Sequence, residues 1–428
     1  MAPYASVFTA ALLAAAALAA PADKPGGITR PIPVSQKFDK AINTDDLRGL
    51  VKADRERAKQ LVSGQLGGSA AQASLMAEKP SGKGVSASAV GSAHASNQAI
   101  YYLTNVQVGN PSRNYKLIID TGSANTWVGA GTSFVSTNST INTGARFAVN
   151  YLSSSVSGNL YIDKVALSST LTVPAQQIGV STKQSGFAGV DGVLGVGPVG
   201  LTKGTSSQGT SVTVPTITDN LFSKGIITQN VVSLSFQPST AVGTVNGQIT
   251  FGGVDTTRYT GSLTYSGLTT KYPANAYWGV DAAVTYGSNV LLYGHPTIIE
   301  SGLTLVYLAS DVFRRYQSMT GGVYDAATDL LKVTPAQYAA LQPLTLTIAG
   351  QKYSLSANAQ IWPRALNTAI GGVSNGIYLV VADLGTNSGS GLDVIAGQVF
   401  MERFFCTFDT TNKRVGLAQT PYTNSQIN

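Results

Sequence analysis

A fold made mostly of β-strands, arranged as two related lobes, is predicted by three features of this 428-residue chain. Charged residues make up only 11% while Gly numbers 46 and Tyr 19, the composition of many short strands and turns. From residue 97 onward, β-branched and aromatic runs alternate with turns rich in Gly, Asn and Pro. A hydrophobic-acid-Ser/Thr-Gly pattern also occurs twice, as Ile118-Ile119-Asp120-Thr121-Gly122 and Ile298-Ile299-Glu300-Ser301-Gly302.

The chain opens with an uncharged run from Val7 to Ala20 that ends near the small-residue pattern Ala17-Leu18-Ala19. Residues 1–19 therefore read as a signal peptide, too short and too rich in Ala for a membrane span, and the protein is expected to be secreted and extracellular. Between Asp39 and Leu66 the apolar residues Leu47, Leu50, Val51 and Ala58, Leu61, Val62 recur at helical spacing among Asp, Lys and Arg, which predicts one or two amphipathic helices. A Gly/Ser/Ala stretch follows from Gly67 to Ser96 and is open to proteolysis. Residues 20–96 are accordingly assigned to a removable pro-segment, residues 97–265 to a first β lobe and residues 266–428 to a second.

The run Ala99–Val108 reads as a strand closed by a turn at Gly109-Asn110-Pro111-Ser112. Helices are predicted at Thr216–Lys224, Ala309–Thr320 and Thr334–Leu341, the last with Pro335 at a helix-start position. Each acid motif is followed, after a long β-rich interval, by a hydrophobic-hydrophobic-Gly element, Val193-Leu194-Gly195 and Val394-Ile395-Ala396-Gly397. Such a duplication fits two homologous lobes.

The formal charge of +7 does not indicate a nucleic-acid partner. Residues 1–96 hold 11 Lys and Arg against 7 Asp and Glu, and the remainder, at 17 against 14, has no basic cluster with interleaved aromatics. The single cysteine, Cys406, permits no internal disulfide and lies in an apolar run that suits a buried thiol. Asn138-Ser139-Thr140 is an acceptor sequon in a polar segment, so Asn138 is a glycosylation candidate.

Two carboxylates facing each other across a lobe interface share one proton, because like charges a few ångströms apart resist joint ionisation. The ionised member can take a proton from water while the other donates to a peptide carbonyl. A Gly after the acid permits a tight turn, and neighbouring Ser or Thr hydroxyls can fix the carboxylate oxygens.

The segment Asp120-Thr121-Gly122-Ser123-Ala124-Asn125-Thr126-Trp127-Val128 resembles the first active-site signature of the pepsin-like aspartic proteases. Asp191-Gly192-Val193-Leu194-Gly195, Ile249-Thr250-Phe251-Gly252-Gly253 and Tyr259-Thr260-Gly261-Ser262-Leu263 are similar to further landmarks of that family, and the C-terminal stretch resembles its fungal polyporopepsin group. The resemblance, from about residue 97 to the C-terminus, implies a bilobal acid protease fold with a central cleft. It also implies an extended polypeptide substrate, no metal or organic cofactor and a monomeric state. It makes Asp120 and Glu300 the catalytic pair, Thr121, Gly122, Ser123, Ser301 and Gly302 their supports, and Tyr151 a flap tyrosine bonded by Trp127.

The resemblance breaks where the second motif reads Glu300-Ser301-Gly302-Leu303. Glu in place of the family's Asp moves the carboxylate outward by one methylene, about 1.5 Å, where placement within about half an ångström is needed. Leu303 removes an orienting hydroxyl. In the flap, Tyr151-Leu152-Ser153-Ser154-Ser155 lacks the expected tip glycines, which implies strain at Leu152 if the tip needs φ > 0. Two consequences stand side by side: an acid endopeptidase with an altered pair, or an impaired homologue that binds peptides or proteins. A glycosidase built on Asp120 and Glu300 fits less well, since only three Trp are present to stack sugars.

Overall fold

The computed structural model describes residues 47, 49–64, 90–151 and 154–427. The signal peptide, most of the proposed pro-segment, and Leu152 with its expected strain lie outside the described residues.

Helix α1 (Leu50–Ser63) is followed by β1 (Gly91–Asn97), β2 (Tyr102–Val108), β3 (Arg113–Asp120), β4 (Thr126–Val128), β5 (Ile141–Asn150), β6 (Ser155–Ala166), β7 (Thr172–Ser185) and β8 (Gly192–Gly195). Then come α2 (Ile217–Ser223), β9 (Val231–Ser235), β10 (Thr244–Phe251), β11 (Thr260–Gly267), β12 (Gly279–Tyr286), β13 (Asn289–Ile299), β14 (Val306–Leu308) and α3 (Ser310–Thr320). The remainder holds β15 (Val323–Asp325), β16 (Leu330–Lys332), α4 (Pro335–Ala340), β17 (Leu344–Ile348), β18 (Gln351–Leu355), β19 (Tyr378–Leu379), β20 (Val381–Asp383), β21 (Val394–Ala396), α5 (Gln398–Met401), β22 (Phe404–Asp409) and β23 (Arg414–Gln419). The predicted helices α2 and α4 begin in capping boxes, Thr216 with Asp219 and Thr334 with Gln337, which satisfy the first backbone donors. Among the described residues no helix is long and apolar enough to cross a membrane.

Thirteen strands form one sheet in the order β11-β23-β22-β9-β10-β1-β2-β3-β8-β4-β7-β6-β5. Seven form a second, β18-β17-β12-β13-β21-β14-β20, and β15, β16 and β19 a third. The internal duplication appears as one strand pattern used twice. In the first sheet β3 lies parallel to β8, and β8 lies antiparallel to β4. In the second, β13 lies parallel to β21, and β21 antiparallel to β14. The paired registers Asp120↔Gly195 and Ile299↔Ala396 set each hydrophobic-hydrophobic-Gly element beside its acid motif.

Two boundaries drawn from the sequence fall inside strands. The cut between residues 96 and 97 lies within β1, which pairs with β10 through seven residues and buries Ala93, Ala95, Ser96 and Asn97. The cut between residues 265 and 266 lies within β11. Strands β22 and β23, assigned by position to the second lobe, pair with β9 and β11 and complete the first sheet. Turn signals mark where strands end, but strand partners are set by packing across the whole chain.

Candidate active site

β3 and β13 each run through buried aliphatic residues and end at an acid: Asp120 closes β3, and Glu300 follows Ile299, the last residue of β13. The two turns that follow are locked to each other. Thr121 Oγ1 donates to the Ile299 carbonyl at 3.0 Å and accepts from Ser301 N–H at 2.8 Å. Reciprocally, Ser301 Oγ donates to the Ile119 carbonyl at 2.8 Å and accepts from Thr121 N–H at 3.0 Å. Four buried bonds thus fix the spacing of the carboxylates without using the carboxylates themselves.

Both acids are buried, at 0% and 1% exposure. Asp120 Oδ1 accepts from Gly122 N–H at 3.0 Å and Oδ2 from Ser123 Oγ at 2.5 Å. Glu300 Oε1 accepts from Gly302 N–H at 2.7 Å. The extra methylene does not carry this carboxylate away from its motif: the side chain turns back to the N–H that matches the one Asp120 uses. The two motif glycines make this possible, since a Cβ on Gly122 would strike the Glu300 carboxylate and one on Gly302 would lie 2.5 Å from Asp120 Oδ1. Leu303 follows the motif as an apolar residue. Its side chain is fully buried in the apolar cluster that holds Trp127, Tyr151 and Leu305, so no hydroxyl there mirrors Ser123.

Tyr151 ends the β5–β6 hairpin with its hydroxyl bonded by Trp127 Nε1–H at 3.1 Å. Phe187 packs edge-on against both rings, with centroids 4.7 and 5.4 Å away. Asn138 stands apart from this cluster on an exposed turn, with Thr140 Oγ1 donating to Asp163 at 2.6 Å.

The sequence did not single out Arg57 or Asp54 of α1. Val51, Asp54, Ala58 and Leu61 lie on the buried face of that helix, which rests on the two acid motifs. Arg57 Nη2 donates to Asp120 Oδ1 at 2.6 Å and to Glu300 Oε1 at 3.4 Å, and its guanidinium lies 5.4 Å from the Tyr151 ring centroid. The signal was present in the pattern: the helical repeat that puts Val51, Ala58 and Leu61 inside puts Asp54 inside as well, and a charge at a core position requires a partner.

Burial alone would raise the Asp120 carboxyl, but the Arg57 charge and its hydrogen bond, with those from Glu300 and Ser123, hold it below the usual carboxylate range. Burial and the adjacent Asp120 charge push Glu300 well above that range. With Arg57 docked, the two carboxyls are thus held apart in proton affinity, Asp120 on the low side and Glu300 on the high side. The thiol of Cys406, fully buried in β22, is pushed up by desolvation and has no part in this chemistry.

Residues 101–420 match the model of the family described as Eukaryotic aspartyl protease. Polyporopepsin of Irpex lacteus is 52% identical over 341 residues, covering 79% of this chain and 100% of that protein. Cathepsin E of Rattus norvegicus is 28% identical over 349 residues, covering 74% and 79% respectively. A crystal structure of an aspartic proteinase from Irpex lacteus matches with a TM-score of 0.78 at 52% identity, covering 79% of this chain and 100% of that one. With an acid pair locked between duplicated strand units and a family match that spans both motifs, the chain belongs to the eukaryotic aspartyl proteases.

Proposed function

We propose that this chain is the precursor of a secreted, monomeric aspartic endopeptidase that cleaves extended polypeptides at acid pH. The observation that carries the reading is the geometry: two buried carboxylates, Asp120 and Glu300, set beside each other by the four reciprocal bonds between their turns. In the reaction, Asp120 as the ionised member takes a proton from a water held between the carboxylates. The oxygen of that water attacks the peptide carbonyl carbon, and Glu300 donates its proton to the carbonyl oxygen. As the C–N bond breaks, a proton passes to the leaving nitrogen and the pair returns to its shared-proton state. Tyr151 and Trp127 cover the bound chain and exclude bulk solvent, which strengthens these interactions. The 52% identity to polyporopepsin over 341 residues favours this reading over a binding protein with a spent centre.

In the same proposal α1 belongs to the pro-segment and blocks the site until it leaves. Arg57 occupies the space where substrate would meet both acids. The test is incubation of acid-processed protein with an unfolded substrate between about pH 3 and 5, with and without a statine-type inhibitor. Cleavage that the inhibitor stops and that Asp120→Asn abolishes is the expected result; cleavage retained by Asp120→Asn would place the chemistry elsewhere.

A further inference from the structure

One turn before Arg57, α1 carries a second charged side chain toward the C-terminal half of the chain. Asp54 is 7% exposed, and its Oδ2 accepts from Thr304 N–H at 2.9 Å, Leu305 N–H at 3.3 Å and Tyr307 O–H at 3.1 Å, while Oδ1 lies 3.2 Å from Thr304 N. All three donors come from the short run that leads from the Glu300 motif into β14. The reaction at Asp120 and Glu300 makes no use of Asp54.

Three donors converging on one carboxylate make a site for an acceptor. When the helix leaves, two backbone N–H groups and a phenol lose the partner that satisfied them, and such groups are costly to leave unpaired inside a protein. We propose that Thr304, Leu305 and Tyr307 form a substrate subsite that selects a side chain ending in a carboxyl or carboxamide group, and that Asp54 fills it beforehand as an internal mimic. The inference rests on the reading of α1 as a removable segment. A Lys or Arg side chain would bring donors to donors, and an aliphatic one would leave all three unpaired. Asp54 and Arg57 are three residues apart, a helical rise of about 4.5 Å. An extended peptide covers that distance in one or two residues, so the subsite lies beside the bond being cut.

The experiment compares processed enzyme on peptide sets that differ only by Gln, Asp, Ala or Lys at each position flanking the cleaved bond. At one position the Gln and Asp peptides should show kcat/KM about five- to tenfold above Ala, with Lys below it, and Tyr307→Phe should reduce that ratio about threefold or more. Equal rates at every position, or a Tyr307→Phe effect of the same size on all peptides, would overturn the subsite. A second measurement needs no turnover: a synthetic peptide of residues 47–64 should bind the processed chain, Asp54→Asn should keep most of the affinity and Asp54→Ala should lose about tenfold. Equal binding by the Asp54→Ala peptide, or no binding by any of them, would overturn the mimicry. Retained selective binding with no cleavage would instead count against the protease reading alone.

Discussion

Asp120 is anchored by its own motif through both carboxylate oxygens, to Gly122 N–H and Ser123 Oγ, whereas Glu300 is anchored through one, to Gly302 N–H. Glu300→Asp should still reach Gly302 N–H, since Asp120 reaches Gly122 in the same way, but its second oxygen would lack a hydroxyl. Leu303→Thr would supply one at the cost of apolar burial, and alone should lower thermal stability by about 2 kcal/mol. Because the two positions share one site, the double variant Glu300→Asp with Leu303→Thr should raise the initial rate on unfolded protein by more than the product of the single effects. A wild-type rate already equal to that of the double variant would make Glu300 an adapted catalytic residue. The acids, their supports, Tyr151 and Trp127 were legible because each lies in a short motif whose neighbours carry the information. Arg57 and Asp54 were not, because their partners lie far along the chain, Glu300 243 residues from Arg57 and Thr304 250 residues from Asp54, and helical spacing names a face without naming what covers it.

At the scale of elements, α1 responds to pH through two groups that act in opposite directions. Asp120 is held low while Arg57 is docked, so its contribution to docking is present above the ordinary carboxylate pKa and is lost as pH falls through the depressed value. Asp54 is pushed up to about 7 by burial, against the lowering effect of its hydrogen bonds from Thr304, Leu305 and Tyr307 and of the nearby Arg57 charge. Its contribution is fullest below the ordinary carboxylate pKa and declines as pH rises toward 7. Mild acid therefore tightens α1 through Asp54 before strong acid loosens it through Asp120. Arg57→Gln should move release to higher pH, read as the pH at which trypsin begins to cut α1 in an Asp120-containing precursor; an unchanged midpoint would remove Arg57 from the switch. Helix α4 was readable from Pro335 at its start, and the acid strands from their duplication. The pairing of β22 with β9 was not, because a strand pattern records which face is buried and not which strand lies alongside.

Across the whole molecule, Glu402 ties distant parts of the chain with a carboxyl that no cation among the described residues pairs at contact distance. Its Oε1 accepts from Asn97 Nδ2 at 2.7 Å and Gln398 Nε2 at 2.9 Å, joining the end of β1 to α5. Burial pushes this carboxyl up to about 7, from an ordinary value near 4.5. The folded protein thus holds a proton that the unfolded chain releases, and stability should fall by about 3 kcal/mol as pH rises between those values. Glu402→Gln should flatten that decline in melting temperature measured from pH 4 to 8, and an equal slope in both proteins would assign the loss to other groups. Under the proposed removal of α1, the same region bounds where the cut can fall. With β1 built into the first sheet, N-terminal sequencing of acid-processed protein should find a start at or before Gly91, and a truncation through Asn97 should unfold at markedly lower temperature.

Among the described residues strand β11 has one neighbour in its sheet, β23, and that neighbour spans residues 414–419. A ribosome adding about 5 to 20 residues per second therefore makes β11 roughly seven to thirty seconds before β23 exists for it to pair with. Through that interval the nascent chain carries an open strand edge, a template for pairing with the wrong chain. A message truncated between Gly302 and β22 yields both acid motifs and no finished first sheet, so shielding β11 until translation ends should raise the yield of folded protein.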